Sequence, residues 1–133
     1  MSKKVAYITG GTKGIGFGIA KILSENGISV AISGRNEIEV KKAAEELSTA
    51  DSPAWGIVSN VRNAKDEENA VAEILNQFGR LDYVIANAGM GVFKPVDELS
   101  SEEWSDMIDT NLTGCFHTLK ASVEELKKSE GYY

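Results

Sequence analysis

The sequence holds one cysteine, one histidine and two prolines in 133 residues. Cys115 cannot close an internal disulfide, so stability has to come from a packed core, and a reducing compartment fits. One His and one Cys also make no cluster with metal-ligand spacing, and no metal site is expected. Positive charge is scarce as well. Fourteen Lys and Arg stand against 20 Asp and Glu, a formal net charge of −6. That balance argues against a nucleic-acid partner, which needs a basic face. It leaves room for a small anion, because a helix N-terminus and one or two local cations can hold a phosphate on an acidic protein. No uninterrupted apolar stretch is long enough to span a bilayer, so no membrane partner is expected. Residues 1–4 followed by the apolar 5–8 have the charge order of a secretory leader. The run meets Gly10-Gly11 at once, however, so it reads as a strand and the protein as cytoplasmic.

What is present describes a globular α/β protein. Hydrophobic residues make up 42% and charged residues 26% of a length suited to one domain, taken here as residues 1–133. Short β-favouring runs at residues 5–9, 28–34, 53–60 and 81–86 alternate with helical patterns. Asn26-Gly27 and Gly79 stop the first and third helices, and Asn63 caps the third. A polar helix is expected over residues 36–50, with Val40, Ala43, Ala44 and Leu47 on one face. Ser100 and Glu103 have capping-box spacing. After them Trp104, Met107, Ile108, Leu112, Cys115, Phe116, Leu119, Val123 and Leu126 form one long apolar stripe. Residues 131–133 look like the start of a further strand. Lys65, Asp66, Glu67 and Glu68 read as a solvated helix start, His117 as structural or exposed, Cys115 as core, and Trp55 and Trp104 as packing residues. Strands alternating with helices imply right-handed crossovers and a doubly wound parallel sheet in the order 3-2-1-4. Ligands of such sheets sit at the carboxyl ends of the strands.

The carboxyl end of the first strand carries the most specific chemistry. Thr9 runs into Gly10-Gly11-Thr12-Lys13-Gly14-Ile15-Gly16, and Ile15, Ile19, Ile22 and Leu23 then recur with helical spacing. Strand, glycine turn and helix together leave backbone N–H groups pointing at a phosphate. Gly10 permits the tight turn, Gly14 a close approach of a diphosphate, and Gly16 close packing of helix on strand. The spacing is G-x-x-x-G-x-G, not the general G-x-G-x-x-G fingerprint. A P-loop is excluded because Lys13 is followed by Gly14 and Ile15 rather than by Ser or Thr.

Three segments in this order and placement make the chain resemble the short-chain dehydrogenase/reductase family. They are residues 9–16, then Asn87-Ala88-Gly89 after the fourth strand, then Asn111-Leu112-Thr113-Gly114 in the following helix. The resemblance implies a Rossmann-type fold and a nicotinamide cofactor. Residues 10–16 would hold its diphosphate, with Thr12 in the turn and the Ile15 N–H among the donors. Asn87, Ala88 and Gly89 would shape the floor beside the adenosine ribose and steady the sheet. Asn60-Val61 stand where the family commonly has Asp-Val beside the adenine, and an amide can still accept from the adenine amino group. Asn111 would be the active-site Asn that interrupts helix hydrogen bonding and holds a water in a proton relay.

Residue chemistry then bears on the choice of cofactor. A carboxylate ending the second strand would bond a ribose 2′-OH and repel a 2′-phosphate. That place is Gly34, followed by Arg35, with Lys13 in the facing turn; two cations there favour NADP(H). An acidic residue at the same place in methyltransferases makes Arg35 speak against that class, which shares the architecture, as flavodoxin-like proteins do.

The resemblance also implies a carbonyl or alcohol substrate and a Ser with a Tyr-x-x-x-Lys pair. No tyrosine of this sequence has a lysine four residues on. The expectation is therefore a cofactor-binding N-terminal part of an oxidoreductase, inactive alone. A non-catalytic nucleotide-binding or self-associating module is the alternative. With the fourth strand as an open edge and the last stripe uncovered, a homo-oligomer is expected under either.

Overall fold

The computed structural model describes residues 3–133. Four parallel strands, β1 (Val5–Thr9), β2 (Ser29–Gly34), β3 (Ala54–Val58) and β4 (Tyr83–Ile85), form one sheet in the order β3-β2-β1-β4. Between them run α1 (Gly14–Glu25), α2 (Glu37–Leu47) and α3 (Ala64–Phe78). α4 (Ser101–Ile108), a π-helical turn (Asp109–Thr113) and α5 (Gly114–Ser129) follow β4. Tyr7 pairs with Ala31 on one side and Val84 on the other, which puts β1 at the centre. Alternation along β1 divides the core. Val5 and Tyr7 face one apolar cluster with Ala70, Val71, Ile74 and Leu126, while Ala6 and Ile8 face another with Ala20, Ala43 and Leu47.

The expected caps form at Asn63 and Ser100, which accept N–H bonds from Asp66 and Glu103, and Ser100 and Glu103 close a full capping box; Asn36, expected inside the second helix, caps it by accepting from Glu39. Gly79 ends α3 at φ 79°. α2 stops at Leu47 rather than near residue 50. The Ser48 hydroxyl donates to the Ala44 carbonyl at 2.9 Å and accepts the Ala54 N–H at 3.0 Å, which turns the chain into β3.

The long apolar stripe is largely uncovered, as expected, and the inward face of α5 is for the most part a different one. The residues of α5 turned inward are Gly114, Thr118, Ser122 and Leu126, whereas Trp104, Leu112 and Phe116 are 57%, 65% and 49% exposed. Small residues every fourth position let α5 lie close on α3, and this outweighs the apolar pattern. β4 is the edge strand of the sheet, with one bridge from Tyr132 where the start of a further strand was expected. The Tyr132 N–H donates to the Asp82 carbonyl at 2.9 Å and the Tyr132 carbonyl accepts from Val84 at 3.0 Å, with the Tyr83 and Tyr132 rings stacked.

One expectation needs correction: Glu67 is fully buried instead of solvated. Its Oε1 accepts from Thr118 Oγ1 at 2.7 Å, its Oε2 from Ser59 Oγ at 2.5 Å, and the Tyr7 hydroxyl lies 2.9 Å from Oε2. The Tyr7 oxygen is also 3.1 Å from Ser33 Oγ. Burial, and next the Glu67 carboxylate beside it, push the Tyr7 hydroxyl well above the ordinary tyrosine range. A second buried carboxylate, Asp82, accepts from the Val5 N–H at 2.9 Å and from Arg80 Nε at 2.8 Å, with Lys4 Nζ at 3.5 Å. Burial pushes this group up, but Arg80, the Val5 amide and Lys4 outweigh it and hold Asp82 below the usual aspartate range.

Removing the Glu67 carboxylate leaves Ser59 Oγ without its partner, takes one partner each from Tyr7 and Thr118 and opens a buried cavity, so Glu67→Ala is expected to lower the unfolding free energy by about 3 kcal/mol. Glu68→Ala, which loses only an exposed pair with Lys65, is expected to stay within about 0.5 kcal/mol. Urea titration of both variants checks this, and equal effects would contradict the buried network. For Asp82 the folded state holds its proton less tightly than the unfolded state. Its contribution is therefore present above the unfolded value of about 4 and lost as pH falls through the folded one. The stability gap between the parent chain and Asp82→Asn should be full near pH 7 and close on acidification, as read by denaturant melts across that range.

Candidate functional site

At the carboxyl ends of the strands lies a crevice of about 340 Å³. Gly10, Thr12 and Lys13 from the glycine turn line it, with Arg35 after β2, Asn60 and Val61 after β3, and Asn87, Ala88 and Gly89 after β4. Nine of the residues singled out from the sequence therefore meet in one place. Gly14, Ile15 and Gly16 follow Lys13 directly as the first turn of α1. Asn111 stands apart, on the π-helical turn.

Local chemistry explains the shape of the crevice. Gly10 and Gly14 have φ of 62° and 60°, the left-handed conformation that lets the chain turn from β1 into α1. At Gly16 a Cβ would lie 2.4 Å from Asn87 Nδ2 and 2.5 Å from the Gly10 carbonyl, so a side chain there would push the helix off the turn. The N-cap of α1, Lys13, gives no side-chain bond, whereas α2, α3 and α4 are all capped by side chains. The first-turn N–H groups of α1 are thus left for a ligand or water.

Asn87 latches β4 to β1. Its backbone N–H and that of Ala88 donate to Thr9 Oγ1 at 3.0 Å each, and its Nδ2 donates to the carbonyls of Thr9 at 3.1 Å and Gly10 at 3.2 Å. The β3 end is held from below and from the side. The Asn60 N–H donates to Asp66 Oδ2 at 2.9 Å, and Asn60 Oδ1 accepts the Arg62 N–H at 3.1 Å, leaving one lone pair for another donor. His117, half-buried, places Nδ1 2.7 Å from the Val61 carbonyl, and Arg62 bridges Asp106 and Asp109 at 3.2 Å each. Asn111 pairs reciprocally with Met90: its Nδ2 donates to the Met90 carbonyl at 2.7 Å and its Oδ1 accepts the Met90 N–H at 2.8 Å.

Lys13 and Arg35 line the same crevice, and among the described residues neither is in an ion pair. Between them β2 ends in Gly34, where a Cβ would lie 2.9 Å from Thr12 Cγ2 and 3.2 Å from Val40 Cγ2. A side chain at that position would require the Thr12 side chain to give way. Five further residues escaped the sequence reading as site residues. Ser33, Ser59, Asn36 and Glu39 line the crevice, and Thr9 supports it. Thr9, Ser33 and Ser59 were visible as polar strand ends, and Asn36 as the start of a polar helix. Glu39 had no signal beyond its neighbours. Among the described residues no group of His, Cys, Asp and Glu could hold a metal, and no helix is long and apolar enough to cross a membrane.

Comparisons with known proteins agree with this geometry. An archaeal alcohol dehydrogenase of Thermococcus sibiricus, solved with 5-hydroxy-NADP, superposes with a TM-score of 0.92 at 39% identity, over 98% of this chain and 56% of that one. A 3-oxoacyl-[acyl-carrier-protein] reductase of Chlamydia muridarum is 39% identical over 129 residues, 95% of this chain and 51% of its own length. An uncharacterized oxidoreductase of Staphylococcus epidermidis is 34% identical over 133 residues, 99% of this chain and 56% of its own length. The chain thus spans about half the length of the curated relatives it matches. The sequence profile described as short chain dehydrogenase matches residues 4–132, and the chain belongs to that family.

Proposed function

We propose that the crevice binds NADP(H), and that residues 1–133 are the cofactor-binding domain of a short-chain oxidoreductase acting on a carbonyl or alcohol. The observation that carries the cofactor choice is the pair of unpaired cations, Lys13 and Arg35, on either side of a strand end that carries Gly34 and no carboxylate. Arg35 offers a planar fork and Lys13 a point charge to a ribose 2′-phosphate. The uncapped first turn of α1, with Gly14, the Ile15 N–H and Gly16 beside Gly10 and Thr12, suits a diphosphate. Asn60 and Val61 flank the adenine, and Asn87, Ala88 and Gly89 floor the ribose. The bound nicotinamide would supply a hydride donor or acceptor.

Asn111 stands nearest to the chemistry. Its amide is already paired with Met90, so a relay water would use the second Oδ1 lone pair or a carbonyl of the π-helical turn. Proton transfer to the substrate requires a Tyr–Lys pair that these 133 residues do not contain. The chain alone is therefore a binding module without turnover. Its half-buried, lone Cys115 suits a cytoplasmic setting.

The same reading includes self-association. Phe116, Leu119, Val123 and Tyr133 line an apolar hollow of about 400 Å³ on the outer face of α5, near exposed Leu112. A second copy of the chain is the proposed occupant.

Calorimetric titration is expected to show tighter binding of NADPH than of NADH. Arg35→Ala should weaken NADPH about 10-fold, the worth of a charge-assisted hydrogen bond, and leave NADH within about twofold. Equal losses for both cofactors would overturn the assignment of Arg35. In sedimentation at micromolar concentration the chain is expected to be oligomeric and Phe116→Asp to shift it towards monomer. A monodisperse monomer of the unsubstituted chain would overturn the association.

A further inference from the structure

Glu39 is the one carboxylate among the residues that line the crevice. It lies in the first turn of α2, where its backbone N–H is bound by the Asn36 cap. Val40, the next residue, is buried against Gly34, so α2 is held firmly with Glu39 on its solvent side. A smaller hollow of about 230 Å³ adjoins the crevice, sharing Thr12, Lys13 and Glu39 with it and adding Lys42 and Glu46. Glu39 therefore belongs to the wall common to both. Among the described residues, neither Lys13, Arg35 nor Lys42 is in an ion pair with it. Its charge is not neutralised by a fixed partner, so it contributes to the field at the place where the two cations act.

We infer that Glu39 is a specificity-determining residue that restrains the preference for a 2′-phosphorylated cofactor; this rests on the reading of the crevice as a nicotinamide-dinucleotide site. A 2′-phosphate brings close to two negative charges to the Lys13–Arg35 wall. The cations attract it and Glu39 repels it. A ribose 2′-OH carries no charge, and towards it a carboxylate is an acceptor, not a source of repulsion. With Gly34 at the strand end there is no carboxylate to discriminate there, and the one that lines the crevice is a turn into the helix. Glu39 thus does weakly, from an exposed position, what a strand-end carboxylate would do strongly. The discrimination ratio between the two cofactors is set by three charges, not two.

The test is calorimetric titration of the 133-residue protein and of Glu39→Gln with NADPH and with NADH, at low and high salt. Glu46→Gln, which removes an equal charge from the outer hollow only, is the control. Glu39→Gln should tighten NADPH about fivefold at low ionic strength, as expected for one unit charge acting on a dianion at a solvated surface. It should leave NADH unchanged or weaker, and the gain should shrink at about 1 M salt. Glu46→Gln should give less than half that gain. Equal tightening of both cofactors, no change for either, or an equal gain from Glu46→Gln would overturn the role of Glu39. If the unsubstituted chain binds neither cofactor, the reading of the crevice fails first and this inference falls with it.

Discussion

A carboxylate buried at the middle of one sheet face, Glu67, is the contact on which much of the arrangement depends. Its two oxygens gather hydroxyls from Tyr7 on the central strand, Ser59 just past β3 and Thr118 on α5, and Tyr7 carries the link on to Ser33 in β2. Such a group is costly to bury unless every lone pair is engaged. Here no buried side-chain polar atom among the described residues is left without a partner. The consequence is positional. An apolar side chain at residue 67 could slide against its neighbours, whereas a carboxylate with three directional partners fixes how α3 and α5 sit on the sheet. Ser33 and Ser59 also line the crevice, so the network that organises the core reaches the floor of the site.

The glycine turn is organised in the complementary way, by exclusion. Gly16 lets Asn87 and the Gly10 carbonyl come nearer than a side chain would allow, and Thr9 and Asn87 then tie the ends of β1 and β4 together. The switch in strand order opens between these two strands, so the latch both closes the sheet and shapes the ligand side of it. Gly34 repeats the logic one strand over, where Thr12 and Val40 occupy the space a side chain would need.

Much of this was legible because it is local. The glycine turn, the Asn63 and Ser100 caps and the alternation of strands and helices are written in neighbouring residues, and the strand order follows from connection handedness. Nine site residues met in the crevice because parallel strands bring all their carboxyl ends to one edge. What was not legible depends on partners distant in sequence. Glu67 sits among Lys65, Asp66 and Glu68, as any solvated helix start does, and only Tyr7, 60 residues away, and Thr118, 51 away, make it interior. The inward face of α5 was hidden for the same reason. Thr118 and Ser122 look exposed by composition, yet close packing against α3 selects small residues over large apolar ones. Glu39 was unremarkable in a polar helix until α2 was seen to wall the crevice.

An acidic chain proposed to take up an anionic cofactor sets a further physical problem. The net charge of −6 repels a dinucleotide at long range, while Lys13, Arg35 and the α1 N-terminus attract it only within roughly a Debye length of 10 Å. The favourable field is therefore a local feature in an unfavourable surround. It works because its sources are poorly screened at contact: backbone N–H groups have no counter-ion to displace, and neither cation has to break an ion pair first. The remaining charge on the wall, Glu39, adds to the global repulsion at short range, where it counts most. Affinity in such a site is governed by which charges stay unpaired at the crevice, and only weakly by the sum over the chain.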